Sequence, residues 1–262
     1  MQFNFFAMTD PGQVRTNNED CASFDEGFGV AVLADGMGGY KAGEVASGMA
    51  VTFIQSELVK WLGSSGRKRD ADQIETAINM CIGRANQSIL NAALSNPQYE
   101  GMGTTVVTGV FNSNHLILGH VGDSRCYRWR SGKLTQITKD HSLLQEQVDA
   151  GLLTPEQAAV APGKNLLTRA LGVEQEVQVE IHEHHVLAGD VYLMCSDGLS
   201  DMLNDTQLAA ILEAHVLLPE MAAELIMKAN AAGGRDNIGV LLAQAKSASR
   251  PSTLMTRLFG NP

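Results

Sequence analysis

Positive charge is scarce in this chain. Against 29 Asp and Glu there are 19 Lys and Arg, for a formal net charge of −10. A nucleic-acid surface calls for a basic face, so this balance argues against one. A phosphorylated substrate stays open, because an acidic protein can hold phosphate through a metal ion. Cysteine is scarce too: Cys21, Cys81, Cys126 and Cys195 are far apart and form no CxxC pair. That excludes a zinc ribbon or disulfide framework and suits buried free thiols in a reducing compartment. No apolar run approaches the ~20 residues of a membrane span. The segment Met1–Phe6 has no positive charge and too short an apolar run for a signal peptide. No repeat of fixed period is present. These absences together lead us to expect a cytoplasmic protein.

What is present is enough apolar material for a sizeable core. The 262 residues are 44% hydrophobic and 18% charged, which suits one large domain or two small ones. The most informative stretch is Val30-Ala31-Val32-Leu33-Ala34-Asp35-Gly36-Met37-Gly38-Gly39. Its apolar run reads as a strand buried on both faces. The run ends in a carboxylate that is costly to bury without a positive partner. The glycines behind it permit a sharp turn and close approach of a ligand. Taken alone, Asp35 reads as a helix cap at a strand-to-helix turn.

The flanking segments alternate in period. Strands are expected at Phe3–Met8 and Cys21–Phe24, with a hairpin at Asp25-Glu26-Gly27. Two helices follow, Lys41–Leu62 and Asp72–Leu94, each with an apolar stripe at helical spacing. The short basic run Arg67-Lys68-Arg69 between them reads as a solvated loop. Short strands are expected at Thr104–Val110, His115–Val121, Arg125–Trp129 and Lys133–Ile137. The segment 142–168 breaks this rhythm with one weak helix, Leu143–Ala150, then Gly151, Pro155, Pro162 and Gly163, as a lid or binding loop does. A strand Val177–Ile181 comes next. His182-Glu183-His184-His185 invites a metal reading, but His182 and His184 continue its outward face and read as solvated surface histidines. Asp190–Gly198 repeats the design of a buried strand ending in Asp-Gly. Helices at Leu199–Leu203, Thr206–His215 and Pro219–Ala231 precede a last strand, Ile238–Ala243. Residues 246–262 read as a flexible tail beyond the domain. Strands and helices are segregated, which favours two packed antiparallel sheets with helix pairs outside over a doubly wound parallel fold.

Asp35, Asp197 and Asp236 each sit where a strand meets a Gly-containing turn. Glu19, Asp20 and Asp123 lie in polar turns beside strands. If strand ends gather at one edge, these acids converge, and crowded carboxylates repel unless cations join them. An all-oxygen set without His or Cys suits Mg²⁺ or Mn²⁺. Two such ions lower the pKa of a bridging water, and Arg15 beside Glu19 could grip a phosphate. The chemistry implied is hydrolysis of a phosphate ester.

These residues, in this order, resemble the metal-dependent protein serine/threonine phosphatases of the PPM (2C) type, bacterial branch. The matching stretches are Arg15–Asp20, Asp35–Gly39, Gly103–Thr105, Gly122–Arg125, Asp140–Ser142, Thr168–Gly172, Ser196–Gly198 and Gly234–Asn237. Each is weak alone, while the ordered set is highly specific. The resemblance implies an α+β fold: a four-layer α-β-β-α sandwich, two antiparallel sheets flanked by helix pairs, with a flap at about 142–168 in a phosphatase domain spanning 1–245. It implies that Asp35 bridges two Mn²⁺ or Mg²⁺ ions and that the Gly36 carbonyl ligates one. Asp197 and Asp236 would hold one ion. Glu19 would act on the other through ordered waters, with Asp20 supporting that shell. Arg15 would bind the substrate phosphate, and Asp123, with Asp197 and Asp201, would hold a weaker third ion. Phosphorylated proteins are the implied partners, together with a serine/threonine kinase and its substrates; a monomer is expected. One departure stands out. Met37 occupies the position where eukaryotic members have a histidine proposed as general acid, and methionine cannot donate a proton. His141 is a weak candidate for that role, against a structural one.

Two rival readings remain. A catalytically silent phosphoprotein-binding relative should have lost a metal acid, and none is missing. A nucleotide-binding turn at Asp35–Gly39 would need a glycine fingerprint that the spacing Gly-x-Gly-Gly does not match.

Overall fold

Each central strand of this protein has two apolar faces because it lies between two apolar neighbours. In β3 (Val30–Met37), Val30, Val32 and Ala34 face a helical layer, while Ala31 and Leu33 face the opposite sheet. The same division runs through β11 (Ile238–Lys246): Ile238, Val240 and Leu242 meet helices, Leu241, Ala243 and Ala245 the facing sheet. Burial on both sides explains the unbroken apolar runs.

The computed structural model describes residues 1–39, 42–64, 69–163 and 166–247. In order these form β1 (Gln2–Asp10), β2 (Asp20–Asp25), β3, α1 (Ala42–Gly63), α2 (Ala71–Ser95), β4 (Gly103–Thr104), β5 (Val106–Asn112), β6 (His115–Val121), β7 (Arg125–Arg130) and β8 (Lys133–Gln136). Then come α3 (Leu143–Asp149), α4 (Pro155–Val160), β9 (Glu180–His185), β10 (Val191–Cys195), α5 (Asp197–Ser200), α6 (Asp205–Ala214), α7 (Leu218–Ala231) and β11. One sheet has the order β1-β11-β10-β7-β8, the other β2-β3-β5-β6-β9 with β4 paired to β3. Every pairing between these strands is antiparallel, which rules out the doubly wound alternative. α1 and α2 cover the second sheet; α5, α6 and α7 cover the first. A third apolar cluster, with Phe5, Leu33, Phe111, Leu118, Tyr192 and Met194, fills the space between the sheets. The four layers α-β-β-α match the expected architecture. The four cysteines are free thiols, three of them buried.

Several boundaries move. β3 does not stop at Asp35: it continues to Met37 because Gly36 and Met37 pair with Thr104 and Gly103. The expected strand Thr104–Val110 is two strands, since Thr105 leaves the ladder and donates its N–H to the Asp35 carbonyl at 2.9 Å. The helix expected from Leu199 already starts at Asp197, with Ser196 as N-cap. Pro155 opens a helix: it sits at the first helical position after Thr154, whose side chain caps Gln157. The basic run lies mostly outside the described residues, as do Lys41 and 248–262 of the tail; Arg69 stacks 4.3 Å from the Trp61 ring. Lys246 belongs to β11, opposite Gln2, and not to the tail.

The largest correction is β9. The strand is Glu180–His185, not Val177–Ile181, because pairing with β6 runs from His120↔Glu180 to His115↔His185. Val179 and Ile181 pack toward the helical layer. His182 and His184 share the other face, at the open edge between the sheets. There His182 donates to Glu180 at 2.7 Å, while His184 is half-buried.

Candidate metal centre

Antiparallel pairing brings the first acids together without any special device. β2 lies against β3 with Asp20 directly opposite Asp35. The Gly36 N–H donates to the Glu19 carbonyl at 3.0 Å, so the chain entering β2 is tied to the end of β3. Asp35 is held through its backbone: its N–H donates to Thr105 Oγ1 at 3.0 Å, and its carbonyl accepts from Thr104 Oγ1 at 2.8 Å. Gly36 must be glycine, because a Cβ there would strike the Gly43 carbonyl in the first turn of α1. Glu19 Oε2 lies over that same turn, where the helix dipole favours a negative charge.

The facing sheet supplies the other acids. Asp197 follows β10 in the first turn of α5, and Asp236 lies in the turn before β11. Asn237 organises this corner. Its Oδ1 accepts the Glu19 N–H at 2.8 Å, and its Nδ2 donates to the carbonyls of Pro11 at 3.0 Å and Asn17 at 2.8 Å. Arg15 Nη2 donates to Asp236 Oδ2 at 2.8 Å from a half-exposed side chain. Asp123 follows Gly122, whose φ of +105° and packing against Thr105 leave no room for a Cβ.

Arg15, Glu19, Asp35, Gly36, Asp123, Asp197 and Asp236 thus wall one cavity of about 250 Å³, together with Met37, Gly38, Thr105 and Leu167. Asp20 does not line it. It is buried behind, accepting from Ser196 Oγ at 2.6 Å, while its Oδ1 has no hydrogen-bond partner. Asp201 is exposed one turn after Asp197 and lines an adjoining trough with Asp123 and Asp197.

The electrostatics follow from this crowding. Burial, reinforced by Asp20, Asp197, Asp123 and Asp236, raises Asp35 well above the usual carboxylate range. Burial raises Asp20 to about 7, against the opposing Ser196 hydroxyl. Asp123 rises to about 8 by burial and the charge of Asp197, and Asp197 to about 6 by burial and the charge of Asp236. Glu19 is raised by burial, with Arg15 opposing. Crowded, half-buried like charges with raised pKa values are what divalent cations relieve. The donors lining the cavity are oxygens, with no His or Cys among the described residues. The set therefore fits hard divalent ions. A nucleotide cradle would present N–H groups; Asp35–Gly39 is instead surrounded by acids.

His141 takes the structural role. It is buried away from the cavity, its Nδ1 accepts the Gly122 N–H at 3.1 Å, and its Nε2 meets Glu180 Oε2 at 3.2 Å. His120, His141 and Glu180 bring potential ligand atoms within 4.8 Å of one another. However, the two imidazoles stack at 15° with centroids 4.8 Å apart, so their in-plane nitrogens do not aim at a shared point. Sequence reasoning missed Asn237 and Gly43 as organisers; neither an amide with three backbone partners nor a glycine meeting another glycine leaves a local signal.

The chain matches the family model for protein phosphatase 2C over residues 13–229. It is 39% identical over 239 residues to the serine/threonine phosphatase stp of Listeria monocytogenes serovar 1/2a, covering 90% of this chain and 93% of that protein. Among solved structures, it is similar to the Mycobacterium tuberculosis serine/threonine phosphatase PstP/Ppp, with a TM-score of 0.85 at 37% identity, covering 94% of this chain and 100% of that one. It also resembles the catalytic domain of PstP in complex with two manganese ions, with a TM-score of 0.80 at 37% identity over 94% of this chain and 99% of that one.

Proposed function

This chain belongs to the protein phosphatase 2C family, and on that premise we propose which of its residues carry the reaction. The protein is a metal-dependent serine/threonine phosphatase that hydrolyses phosphoserine and phosphothreonine esters on proteins, with two Mn²⁺ or Mg²⁺ ions as cofactors. Its substrates are phosphorylated proteins. The silent-relative reading has nothing in its favour, since every metal acid is in place.

The observation that carries the assignment is the gathering of Asp35, Asp197 and Asp236 with Glu19, Asp123 and Arg15 around one cavity. Asp35 and the Gly36 carbonyl would hold the ions, with Asp197 and Asp236 serving one of them; Glu19 would act on the other, with Asp20 behind. Asp123, Asp197 and Asp201 suit a weaker third ion. Bound there, divalent ions would supply Lewis acidity and an activated water. The chain's own part is placement. Arg15 sets its planar fork against the phosphoryl oxygens. Thr104 and Thr105 fix the Asp35 backbone, and Asn237 ties Glu19 to the Asp236 turn. Met37 contributes an apolar wall and no proton, so the leaving oxygen takes its proton from a metal-bound water or another group.

We assign the catalytic domain to 1–246, through the end of β11, with the flap at 142–168 over the site. The partner is a serine/threonine protein kinase whose products this enzyme reverses, and the enzyme works as a cytoplasmic monomer. No helix among the described residues is long and apolar enough to cross a membrane. The test is phosphate release from a phosphothreonine peptide against added Mn²⁺, repeated in chelator. Asp35→Ala, Asp197→Ala and Asp236→Ala should each abolish turnover in folded protein. Full activity in excess chelator, or in all three variants, overturns the assignment; peptide binding without turnover would make the protein a silent relative.

A further inference from the structure

Asp123 reaches the carboxylate cavity from the short turn between β6 and β7. Two consecutive residues, Asp140 and His141, grip that turn on both sides of the acid. On one side the Gly122 N–H donates to His141 Nδ1 at 3.1 Å, and the His141 N–H donates to the Gly122 carbonyl at 2.9 Å. That carbonyl belongs to the peptide leading into Asp123. On the other side Arg125 donates to both carboxylate oxygens of Asp140, from Nε at 3.0 Å and from Nη2 at 2.7 Å. Between them, Ser124 Oγ lies 2.8 Å from Thr105 Oγ1, the atom that accepts the Asp35 N–H.

The bond at Gly122 fixes the chemistry of the imidazole. A backbone N–H can only donate, so His141 Nδ1 presents a lone pair and the ring proton sits on Nε2. There it is given to Glu180 Oε2 at 3.2 Å, and Arg169 Nη1, 3.4 Å from Nε2, finds no lone pair to meet. Turning the ring over would set a C–H against the Gly122 N–H and lose both bonds. The ring is buried flat against His120, and burial lowers its pKa, so it stays neutral and able to accept. Gly122 is buried too, so without Nδ1 its N–H would be left unsatisfied at the residue before Asp123.

Resting on the phosphatase reading above, we propose that His141 is a positioning residue: through Nδ1 it holds the Gly122 peptide and so keeps Asp123 aimed at the cavity for divalent-cation binding. Groups that orient a ligand from behind are worth about ten- to hundredfold in metal affinity.

The experiment compares His141→Asn with His141→Leu. The two side chains have nearly the same shape, but only Asn carries an oxygen where Nδ1 stood. Both lose the bond to Glu180 and the stacking on His120. Mn²⁺ binding to the whole protein is titrated by calorimetry, alongside phosphate release from a phosphothreonine peptide. Leu is expected to weaken the weakest Mn²⁺ step by about tenfold or more, and Asn to stay within about threefold of the parent. His141→Gln, whose amide reaches past the Nδ1 position, should fall with Leu. In an Asp123→Ala background all three should bind Mn²⁺ alike, because the acid through which His141 acts is gone. Equal binding by Asn and Leu, or a difference that persists without Asp123, overturns the positioning role and leaves the phosphatase reading intact. Melting curves in chelator show which variants fold. If Leu does not, Gln takes its place under the same criteria; if neither folds while Asn does, the role is purely structural and the proposal fails. No Mn²⁺-dependent phosphate release by the unaltered enzyme overturns both readings.

Discussion

Replacing Asn237 by Ala tests how the site is held together. The Asn237 side chain is buried and spans three separate pieces of backbone: Glu19 N–H, Pro11 C=O and Asn17 C=O, at 2.8, 3.0 and 2.8 Å. Each such bond is worth about 1 kcal/mol net, so the truncation should cost about 3 kcal/mol. For a chain of this size that corresponds to a melting temperature lower by about 6–12 °C. The loss falls on the loop carrying Arg15 and Glu19, so the Mn²⁺ concentration for half-maximal activity should rise by about tenfold or more. Activity at saturating Mn²⁺ should largely return, because no ligand has been removed. Thermal unfolding in chelator measures the first effect and phosphate release against Mn²⁺ the second. A variant within 0.5 kcal/mol of the parent by the urea-unfolding midpoint, with an unshifted Mn²⁺ dependence, would refute the claim that this amide organises the centre.

Three further outcomes follow from the same geometry. Asp35→Asn should abolish turnover yet melt higher than the parent in chelator, because an amide need not take up a proton to sit among crowded acids; a lower melting point would contradict the crowding. For pH, the acids are raised on folding, so their contribution is fully present below the unfolded carboxylate range and is lost as pH climbs through the folded values. His120 and His141, lowered by burial, act in the opposite sense below about 6.5. The clean window is therefore pH 6.5–8, where Asp20, at about 7, and Asp123, at about 8, lose protons. Metal-free protein should lose stability across it by up to about 1.4 kcal/mol per pH unit per group, and saturating Mn²⁺ should flatten the loss; a rise in chelator would be the contrary result. Lastly, Arg130 pairs through Nε and Nη2 with Asp190, which is 1% exposed, at 2.7 and 2.6 Å. Arg130→Met should cost about 2–3 kcal/mol by leaving that carboxylate only the Leu187 N–H and the Tyr192 hydroxyl, with kcat unaltered in an assay below the melting temperature; loss of kcat in the folded variant would tie this pair to the site.

Much of this was legible along the chain. The run Val30–Ala34 announced a strand with two buried faces, since a half-exposed strand would have alternated. Apolar stripes located α1 and α2, and the expected helices Thr206–His215 and Pro219–Ala231 located α6 and α7, to within a residue or two where their ends are described. What misled was local alternation without a partner. Val177–Ile181 has the strand period, but so does Glu180–His185, and only pairing with β6 selects the latter. Pro155 reads as a breaker by itself and as a helix start once Thr154 caps it.

The amino-acid order by itself determined the layers, the double burial of the central strands, and the placing of an acid at each strand end, because periodicity and turn chemistry act over a few residues. Only the tertiary structure decided which acids meet. Asp20, the neighbour of Asp35 across the β2–β3 pair, is buried outside the cavity lining, Asp201 lines the neighbouring trough, and Asn237 stitches Glu19 to the Asp236 turn across 218 positions of sequence. Convergence is a property of sheet register and of two sheets packed face to face, and no residue carries the address of a partner so far along the chain.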